Sequence, residues 1–566
     1  MKNYPYYKSE DIKNLRDLIA CVKQKWGAND AFRLPDEKGG GEINISFEAV
    51  AADVEAAGTA LLSAGLGGKR CVVMGNNCYG WALAYFAAAN SGGCVVPVDP
   101  ELPAADIRNI ITKTQAEVLF YAGSCAEKAD EILDLETNTI LKYVFSIDKS
   151  SDGGIRTVFD LAAEGRALLE KGDDSFSRVE IHNNAVCAII YTSGTSGTPK
   201  GVMLSHANIA SNVAAAVKAV HFAPGDVFLS VLPYHHTYEC TCGLMVVMLW
   251  GACICFNDSI RNIQKNLARY KPTAMLMVPL YIETFYKKIM DNIKNSGAEK
   301  KFRTGLKLSG FLRRLGVDKR AKFFGKILEF FGGRLKTVVC GGAYLRPDYV
   351  KLFGQIGIQV LQGYGITECS PLVAVNRNKC WKFDSAGMPI PCCQVKIAGG
   401  KKSGEILIKG TNVMLGYYED PARTAEAFEG DWYKSGDIGH VGKNNFIYIT
   451  GRKANMIVFK NGKNVAPEEL ESELTKNDVI KEVVVLARSD RDGVRDLFAY
   501  IKVYEEFAEK HGALSVYEEV SKIIGEFNSS RQAYSHIKDF ALIKTEFPKT
   551  TSKKIIRYKV GENADV

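Results

Sequence analysis

The sequence predicts an α/β fold with parallel sheets, because short apolar runs alternate with segments of helical periodicity along most of the chain. Runs of strand length occupy residues 71–74, 95–98 and 117–121, and helical segments at 81–90 and 104–114 separate them. Strands joined by helices in this way pair in parallel, with helices on both faces of the sheet. The same alternation continues through strand-like runs at 274–278, 335–339 and 359–361.

Two later changes in texture predict further domains. After Cys380 the chain changes to short strands and turns, which predicts a small β subdomain with strands at 394–398 and 404–408. Beyond Gly451 the predicted elements are a helix at 467–474, strands at 482–487 and 497–503, and a helix at 516–527. A chain of 566 residues exceeds what one hydrophobic core usually organises. We therefore expect one domain over residues 1–450 and a second over residues 451–566.

The composition is that of an ordinary globular protein. Apolar residues make up 46% and charged residues 24% of the chain, and the net charge of +8 is small for this length. No base-reading motif is present, so we expect no nucleic-acid partner, and nothing in the sequence predicts an oligomeric state. The fifteen cysteines include no Cys-x-x-Cys pair, which favours reduced thiols over zinc. Residues 1–11 lack the apolar core of a signal peptide, which favours a cytoplasmic location.

Residues 240–257 carry no charge, so they are the segment in which a membrane span would be expected if the chain had one. A membrane span needs about 20 apolar residues, whereas Gly251 interrupts this run just ahead of the strand-like residues 252–256. We expect a buried helix followed by a buried strand, with a true membrane span as the alternative.

The stretch from Tyr191 to Val202 has the chemistry of a phosphate cradle. It reads Tyr-Thr-Ser-Gly-Thr-Ser-Gly-Thr-Pro-Lys-Gly-Val, follows the apolar run 185–190 and precedes Ser205, which suits the N-cap of a helix over 206–220. Glycines let backbone N–H groups approach phosphate oxygens, hydroxyls add donors, and a lysine adds positive charge. The loop is not a Walker A motif, because Gly-Lys-Ser/Thr is missing at the required spacing. A solvated Gly/Ser/Thr linker is the alternative.

Five further segments follow this loop in the order found in one enzyme superfamily. They are Gly341-Gly342-Ala343, Gly363-Tyr364-Gly365-Ile366-Thr367-Glu368, Tyr433-Lys-Ser-Gly-Asp437, Gly451-Arg452 and Pro548-Lys-Thr-Thr-Ser-Lys-Lys554-Ile-Ile-Arg557. Together with the loop they resemble the signatures of the adenylate-forming enzymes, which include acyl-CoA synthetases, luciferases and peptide-synthetase adenylation domains. The resemblance covers nearly the whole chain. It implies a large N-terminal domain of two α/β subdomains plus a β barrel, and a small mobile α+β lid at the C-terminus.

The resemblance also implies a chemistry in which ATP converts a carboxylate into an acyl-adenylate. The phosphates of ATP would be held by Thr192, Ser193, Gly194, Thr195, Ser196, Gly197, Thr198 and Lys200. Glu368, with the Thr192 hydroxyl near it, would ligate Mg²⁺ and act as a catalytic residue. The nucleoside would lie among Gly341, Gly342, Ala343, Gly363, Tyr364, Gly365 and Thr367, with Asp437 accepting from the ribose hydroxyls and Arg452 holding the ribose or a phosphate.

Lys554 occupies the position of the family's C-terminal catalytic lysine. At that position an ammonium can bridge the attacking carboxylate and the α-phosphate. The chain departs from the family pattern twice. Lys553 stands where the family usually has Gly, and Ala454, followed by Asn455, stands where the domain hinge typically has Asp or Lys. Hinge movement of the lid is therefore an expectation from the resemblance.

Two segments resemble long-chain fatty acyl-CoA synthetases and indicate the substrate. Leu232-Pro-Tyr-His-His-Thr-Tyr-Glu239 matches a Leu-Pro-x-x-His-x-aromatic-Glu pattern, with His236 as its candidate catalytic histidine, and residues 431–439 match the fatty-acyl signature. His235, His236 and Glu239 could instead bind a metal, but no further ligand follows at a recognisable spacing.

We therefore expect a long-chain fatty acid:CoA ligase that uses ATP, Mg²⁺ and coenzyme A. Two alternatives remain within the enzyme class, namely delivery to a carrier-protein thiol and activation of a medium-chain or aryl acid. A third alternative, from a different class, is a nucleotide- or acyl-binding protein without catalysis.

The segment from Lys287 to Lys326 is strongly basic. Its thirteen Lys and Arg residues against three Asp and Glu residues give a net charge of +10, and apolar residues lie among them. An amphipathic basic surface of this kind can rest on anionic lipid headgroups. One interpretation is therefore peripheral contact with an anionic membrane on the cytoplasmic face. The other is a solvated helical hairpin whose apolar face packs on the domain.

Overall fold

The first half of the chain alternates strands and helices, as predicted. The structure, a computed structural model, describes residues 5–36, 40–133, 140–150, 154–192, 199–459, 463–490, 493–549 and 555–560. The elements up to residue 219 are α1 (Leu15–Trp26), β1 (Asp30–Pro35), β2 (Glu42–Ser46), α2 (Phe47–Ser63), β3 (Arg70–Met74), α3 (Tyr79–Asn90), β4 (Cys94–Val98), α4 (Ala104–Thr114), β5 (Val118–Tyr121), α5 (Ala126–Leu133), β6 (Tyr143–Ser146), α6 (Val158–Glu170), α7 (Ser175–Arg178), β7 (Val186–Thr192), β8 (Lys200–Ser205) and α8 (His206–Ala219).

The alternation continues to residue 389. These elements are β9 (Val227–Ser230), α9 (Val246–Leu249), β10 (Cys253–Phe256), α10 (Ile263–Tyr270), β11 (Ala274–Met277), α11 (Pro279–Asn295), α12 (Glu299–Arg314), α13 (Arg320–Phe330), β12 (Thr337–Cys340), α14 (Pro347–Ile356), β13 (Gln359–Gly365), β14 (Leu372–Val375) and β15 (Met388–Pro389). A π-helical segment, Tyr238–Met245, leads directly into α9.

The remaining elements are shorter strands and a terminal α+β unit. They are β16 (Cys393–Ile397), β17 (Gly404–Gly410), β18 (Gly416–Tyr417), α15 (Pro421–Glu426), β19 (Phe428–Glu429), β20 (Trp432–Val441), β21 (Ile447–Arg452), β22 (Ile457–Val458), β23 (Asn464–Val465), α16 (Pro467–Leu474), β24 (Ile480–Asp490), β25 (Gly493–Val503), α17 (Glu505–Ser529) and β26 (Ile537–Leu542). Strands β16, β17, β19, β20 and β21 belong to one sheet, which is the small β-rich part expected after Cys380.

Two large sheets carry the α/β part, as the sequence predicted. A nine-stranded sheet has the order β15-β14-β13-β12-β11-β9-β10-β1-β2, and a seven-stranded sheet has the order β18-β8-β7-β4-β3-β5-β6. Pairing is parallel from β1 through β10, β9, β11 and β12 to β13, and from β6 through β5, β3 and β4 to β7. Antiparallel strands close the edges at β2, β14, β15, β8 and β18.

The chain divides into two compact units. The first comprises residues 1–395, 408–433 and 443–447, and the second comprises residues 396–407, 434–442 and 448–566. In the first unit, apolar residues of β9, β11, β12 and β13 pack against α10, α11, α13 and α14. In the second unit, β24 and β25 pack against α16 and α17. The domain boundary at residues 450 and 451 stays a prediction.

The uncharged stretch 240–257 contains a helix and a strand, as expected. The residues of Tyr238–Met245 from Glu239 onward are buried, as is all of α9, and Gly251, with φ of 72°, turns the chain into β10. Among the described residues, no helix combines the length and apolar character that a membrane span requires. The fifteen cysteines are free thiols, and Cys240 and Cys242 lie on this helix.

Candidate active site

A hairpin carries the ends of the predicted phosphate loop. The sequence pattern placed a helix directly after the loop, but β8 intervenes and pairs antiparallel with β7, so that Thr192 lies opposite Lys200. The helix follows at Ser205, whose hydroxyl and the Asn208 side chain form the predicted N-terminal cap as a capping box. The Thr192 Oγ1 atom is buried and has no hydrogen-bond partner in the described structure. The predicted phosphate ligands Ser193, Gly194, Thr195, Ser196, Gly197 and Thr198 lie outside the described residues.

Lys200 joins this hairpin to the carboxylate predicted to bind Mg²⁺. The Lys200 Nζ donates to Glu368 Oε1 at 2.8 Å and to the Tyr417 hydroxyl at 2.8 Å. Tyr417 in turn donates to Glu368 Oε1 at 3.0 Å, and the Lys200 ammonium lies 4.5 Å from the Tyr417 ring centroid. The Tyr433 hydroxyl approaches that of Tyr417 at 3.4 Å. Two distant predicted residues therefore meet in one cluster of opposite charges.

Burial and pairing act in opposite directions on these groups. Burial raises the pKa of Glu368, but the Lys200 ammonium and the hydrogen bonds outweigh it and hold that pKa below its usual value. Burial lowers the pKa of Lys200, and the Glu368 carboxylate reverses this and leaves that pKa raised. Burial raises the pKa of both Tyr417 and Tyr433, so their hydroxyls stay protonated. The cluster is thus a charged ion pair held by neutral phenols at neutral pH.

Two buried asparagines fasten the turn that carries Glu368. The Asn212 Nδ2 donates to the carbonyl oxygens of Cys369 and Leu372 at 3.0 and 2.8 Å. The Asn412 Nδ2 donates to the same two oxygens at 3.0 and 2.9 Å. Ser370, with φ of 67°, also donates from its hydroxyl to the Asn412 carbonyl at 2.9 Å. Two buried amide groups that donate to the same two carbonyls hold the turn in one conformation, which fixes the Glu368 backbone.

The two glycine-containing motifs lie side by side at the carboxyl ends of adjacent strands. Strand β12 pairs in parallel with β13 and places Cys340 opposite Gln362, so Gly341 and Gly363 are neighbours. A Cβ atom on Gly341 would lie 3.4 Å from the Gly363 carbonyl oxygen, and one on Gly365 would lie only 2.5 Å from the Pro371 carbonyl oxygen. Gly342, which has φ of 87°, and Ala343 are exposed, whereas Tyr364 is mostly buried. This edge is where parallel α/β sheets bind ligands.

The segment with the candidate histidine reaches the same edge through Tyr238. Its hydroxyl donates to the Val339 carbonyl at 3.1 Å, and a Cβ atom on Gly341 would lie 3.4 Å from its ring. His236 is half-buried, and its ring lies 4.3 Å from that of His235. The buried His235 ring lies 3.6 Å from the Asp99 carboxylate, and burial lowers its pKa. Tyr238, two residues after His236, therefore places this segment beside Gly341.

Glu239, three residues after His236, is buried within the π-helical segment. Its Oε1 accepts from the Ser230 hydroxyl at 2.5 Å, and its Oε2 has no hydrogen-bond partner among the described residues. Burial raises the pKa of Glu239 to about 8. Asn77 donates to Ser230 Oγ at 2.9 Å and to the Leu232 carbonyl at 2.6 Å. A neutral carboxyl thus belongs to a network that joins the β3–α3 turn to the end of β9.

The ribose residues predicted from the sequence pair with each other in the second unit. The Arg452 Nε lies 2.7 Å from Asp437 Oδ1, and the Asp437 side chain is buried. Lys453, the next residue, pairs with Glu405 at 2.7 Å, and the Glu405 carboxylate also accepts from the Gly436 backbone N–H at 3.3 Å. The pairs Asp437–Arg452 and Glu405–Lys453 therefore hold the backbone around Asp437.

The predicted catalytic residue Lys554 lies outside the described residues, as does Lys553. The residues that flank them are held together, since Lys549 pairs with Ile555 and the Ile556 N–H donates to the Pro548 carbonyl at 2.8 Å. Lys549 also pairs with Glu482 at 2.6 Å. At the predicted hinge, Asn455 donates to Glu468 at 2.5 Å.

Metal binding by the protein alone finds little support. Among the described residues, no group of three or more His, Cys, Asp or Glu side chains is placed to hold a metal ion, so the alternative of a metal at His235, His236 and Glu239 gains no support from the structure. Mg²⁺ bound with a nucleotide needs fewer protein ligands, because phosphate oxygens and waters complete its octahedron. The Glu368 carboxylate and the unpartnered Thr192 hydroxyl are oxygen donors of the required kind. The residues present therefore fit a nucleotide-bound magnesium ion.

The family follows from sequence comparison. The profile of the AMP-binding enzyme family matches residues 23–418, and that of the AMP-binding enzyme C-terminal domain matches residues 454–563. The chain belongs to the AMP-binding enzyme family. The first match includes Lys200, Glu368 and Tyr417, and the second includes Lys554.

Three similar proteins illustrate the range of this family. The long-chain-fatty-acid–CoA ligase FadD15 of Mycobacterium bovis is 29% identical over 461 residues, which cover 78% of this chain and 75% of that protein. A chloroplastic long-chain-fatty-acid–[acyl-carrier-protein] ligase of Arabidopsis thaliana is 30% identical over 59% of this chain and 54% of that protein. The crystal structure of an anthranilate CoA ligase, AuaEII, with anthranoyl-AMP matches with a TM-score of 0.76 at 19% identity, covering 99% and 97% of the two chains. The structural match supports the fold.

Sequence reasoning missed four residues of this candidate site. Tyr417 lies on the two-residue strand β18, and Asn208, Asn212 and Asn412 act through bonds to backbone carbonyls far along the chain. Asn208, for example, donates to the carbonyls of Thr411 and Val413 at 2.8 and 2.9 Å. The signal in the sequence for Asn208 and Asn212 is their spacing of four residues, which places two amides on one face of the Ala- and Val-rich helix α8.

Proposed function

We propose that this AMP-binding enzyme activates a long-chain fatty acid with ATP and transfers the acyl group to coenzyme A. In the first step a carboxylate oxygen of the acid attacks the α-phosphorus of ATP. The bond to pyrophosphate breaks, and acyl-AMP forms. In the second step the thiolate of coenzyme A attacks the acyl carbonyl, the bond to the phosphate breaks, and AMP leaves. The observation that carries the proposal is the ion pair between Lys200 and Glu368.

The first unit offers groups for the nucleotide. Lys200 supplies a cation at the end of the hydroxyl-rich loop, where the β- and γ-phosphates would bind. The exposed backbone at Gly342 and Ala343 leaves room for a flat base beside the Gly363–Gly365 strand. Asp437 and Arg452 in the second unit would hold the ribose, and Lys554 would steady the charge that develops as carboxylate and α-phosphate approach. His236, near Tyr238, would line the acyl site.

Magnesium would be held by Glu368 and Thr192. When bound, it offsets the charge of the phosphates and of the departing pyrophosphate. Lys200 orients Glu368 through a 2.8 Å contact, so that its carboxylate stays ionised despite burial.

We expect Glu368→Gln to raise the magnesium concentration needed for half-maximal activity and to lower turnover. The substitution keeps the shape of the side chain but removes its charge, and it leaves Lys200 without its anionic partner. Magnesium titrations of the two proteins measure this directly, with Glu117→Gln, a lysine-paired carboxylate outside the proposed sites, as the control. An unchanged magnesium dependence would remove Glu368 from the metal site.

The choice of a long-chain acid rests on two kinds of support. The FadD15 relative, which is 29% identical, is named as a long-chain-fatty-acid–CoA ligase. The segments 232–239 and 431–439 resemble those of fatty acyl-CoA synthetases. Hydroxamate trapping of acyl-AMP with ATP and a panel of acids tests the choice. We expect product with palmitate and little with octanoate or benzoate. Product with benzoate alone would favour an aryl acid, and no product with any acid would favour a binding protein without catalysis.

A carrier-protein acceptor is the second candidate. The relative named as an acyl-carrier-protein ligase is 30% identical, although over a shorter part of the chain than FadD15. Supplying palmitoyl-AMP with either coenzyme A or holo-acyl carrier protein separates the two. We expect a thioester with coenzyme A. A thioester on the carrier protein alone would make the carrier protein, rather than coenzyme A, the acyl acceptor.

A further inference from the structure

Helix α12 carries apolar residues on two opposite faces. On the inner face Phe302 and Leu306 pack against the core beside the buried Gly305. On the outer face Leu308, Phe311 and Leu315, spaced three and four residues apart, are 46%, 57% and 63% exposed. A surface helix typically presents charged and polar residues on the face away from the core. The second apolar face therefore has no role in packing this helix onto its own domain.

Two more exposed apolar residues follow in the turn after α12 and on α13. Val317, in the turn after α12, is 40% exposed, and Phe323 of α13 is 37% exposed and lies near Gly305. Among the described residues, seventeen large apolar side chains are exposed, and five of these fall within 308–323. Scattered exposed apolar residues need no explanation, whereas a continuous patch marks an interaction site.

Cations border this ridge of exposed apolar residues. Lys300, Lys307 and Arg314 are spaced by seven residues and therefore run along one side of α12, next to the ridge. Lys301, Lys319 and Lys322 are also exposed. In the part of the chain that the structure describes, none of these six residues lies in an ion pair. Arg320 differs, because it pairs with Asp318 and donates to the Gly354 carbonyl at 2.9 Å.

We propose that the surface formed by α12 and the start of α13 docks on an anionic lipid bilayer. The ridge of Leu308, Phe311, Leu315, Val317 and Phe323 enters the boundary between headgroups and acyl chains, and the six unpaired cations contact anionic headgroups. Charge complementarity selects this occupant. A row of like charges repels itself in solution, and an anionic surface relieves that repulsion while it covers the apolar side chains. The inference stands independently of which acid the enzyme activates.

Co-sedimentation with vesicles tests the proposal. The full-length protein is mixed with phosphatidylcholine vesicles that either contain or lack phosphatidylserine. We expect binding to the anionic vesicles that weakens as salt is added, because exposed charges are screened within about 8 Å at physiological ionic strength. Equal binding to both vesicle types, or none to the anionic ones, would overturn the proposal. The absence of binding to anionic vesicles would instead indicate that the ridge binds a protein partner.

Two triple variants separate the charges from the ridge. Lys300→Glu/Lys307→Glu/Arg314→Glu should weaken partitioning on the order of a hundredfold, since each cation near the surface contributes about 1 kcal/mol. Leu308→Ser/Phe311→Ser/Leu315→Ser should weaken it at least about tenfold even in low salt. Matched controls are Lys401→Glu/Lys402→Glu and Leu514→Ser, which change exposed residues elsewhere. Vesicle binding by either triple variant that equals the wild type, or an equal loss in the controls, would contradict the assignment.

A probe at the ridge gives a readout that needs no loss of binding. Phe311→Trp places an indole at a position that is already 57% exposed, so the fold should tolerate it. We expect its emission to shift to shorter wavelength with anionic vesicles, after subtraction of the wild-type spectrum, and the matched variant Leu514→Trp to show no shift. An unshifted Phe311→Trp in the presence of bound vesicles would exclude the ridge from the contact.

Discussion

At the scale of single residues, the candidate site contains a largely buried charged pair that neutral phenols support. Lys200 and Glu368 are 168 positions apart, and Tyr417 bonds to both. Burying one charge without its partner costs several kcal/mol, so each residue requires the other. A structure that brings them together at the end of a hydroxyl-rich loop suits an anionic, phosphate-bearing ligand.

Tyr417→Phe tests the phenol that sequence reasoning missed. The variant keeps the ring under the Lys200 ammonium but removes the hydroxyl that bonds to Lys200 and Glu368. Hydrogen bonds to charged groups contribute about 1.5–3 kcal/mol, so we expect acyl-AMP formation to fall on the order of tenfold or more. Tyr418→Phe, at the next position, is the matched control and should retain activity. Equal rates for the two variants would show that the hydroxyl has no part in the site.

Glu239 makes a prediction about pH and stability. The pKa of Glu239 is raised in the folded protein from 4.5 to about 8, so its stabilising contribution is present below the unfolded pKa and is lost as pH rises through the folded one. Relative to Glu239→Gln, which does not titrate, the wild type should lose stability between about pH 4.5 and about pH 8, on the order of 1 kcal/mol for each pH unit. Urea denaturation of both proteins across this range measures the difference. Parallel stability profiles would mean that Glu239 is ionised or solvated.

The sequence predicted site residues that carry a motif and missed those that act only through the fold. Glu368 and Lys200 stand in recognisable segments, whereas Tyr417 belongs to a two-residue strand whose pairing with β8 is a tertiary event. Asn212 and Asn412 bond to the same two carbonyls from positions 200 residues apart. No local pattern encodes a contact of that separation.

At the scale of elements, the sequence predicted helices and strands wherever one periodicity is unbroken. The predicted helices at 104–114 and 467–474 match α4 and α16 residue for residue. The sequence predicted that the phosphate loop leads into a helix, because its glycines and hydroxyls are typical of a turn before a helix. In the structure β8 follows the loop and pairs with β7, and this pairing forms only in the folded sheet. Helix α17 begins at Glu505, before the predicted residue 516. Gly512, with φ of 72°, is not helical and divides α17 into two segments, and the second segment contains the predicted helix 516–527.

The C-terminal segment gives a prediction at this scale. Lys549 and Ile555 form an isolated antiparallel bridge, and the two candidate lysines lie between them in the sequence. We expect Lys554→Ala to lower acyl-AMP formation roughly 10²- to 10³-fold, as the loss of a well-placed transition-state donor does, and to leave thioester formation from supplied acyl-AMP largely intact. Lys553→Ala is the matched control and should retain most activity. A dead Lys553→Ala with an active Lys554→Ala would shift the assignment by one residue.

At the scale of the whole molecule, two mostly parallel sheets and a separate C-terminal unit agree with the family to which the chain belongs. The alternation of strands and helices was sufficient to predict the sheets. The division into units depends on contacts between distant parts of the sequence. The second unit includes residues 396–407 and 434–442, which are flanked in the sequence by segments of the first unit. Segments that join a distant unit through long-range packing leave no mark in local composition.

Acid-dependent exchange of labelled pyrophosphate into ATP tests the central claim most directly. Exchange requires reversible formation of acyl-AMP and no acyl acceptor, so it isolates the first step from the choice between coenzyme A and a carrier protein. We expect exchange with palmitate, ATP and Mg²⁺, none without the acid, and a strong loss in Glu368→Gln. Palmitate-independent exchange, or none with palmitate while the protein binds ATP, would contradict the assignment of this chain as a fatty-acid-activating enzyme.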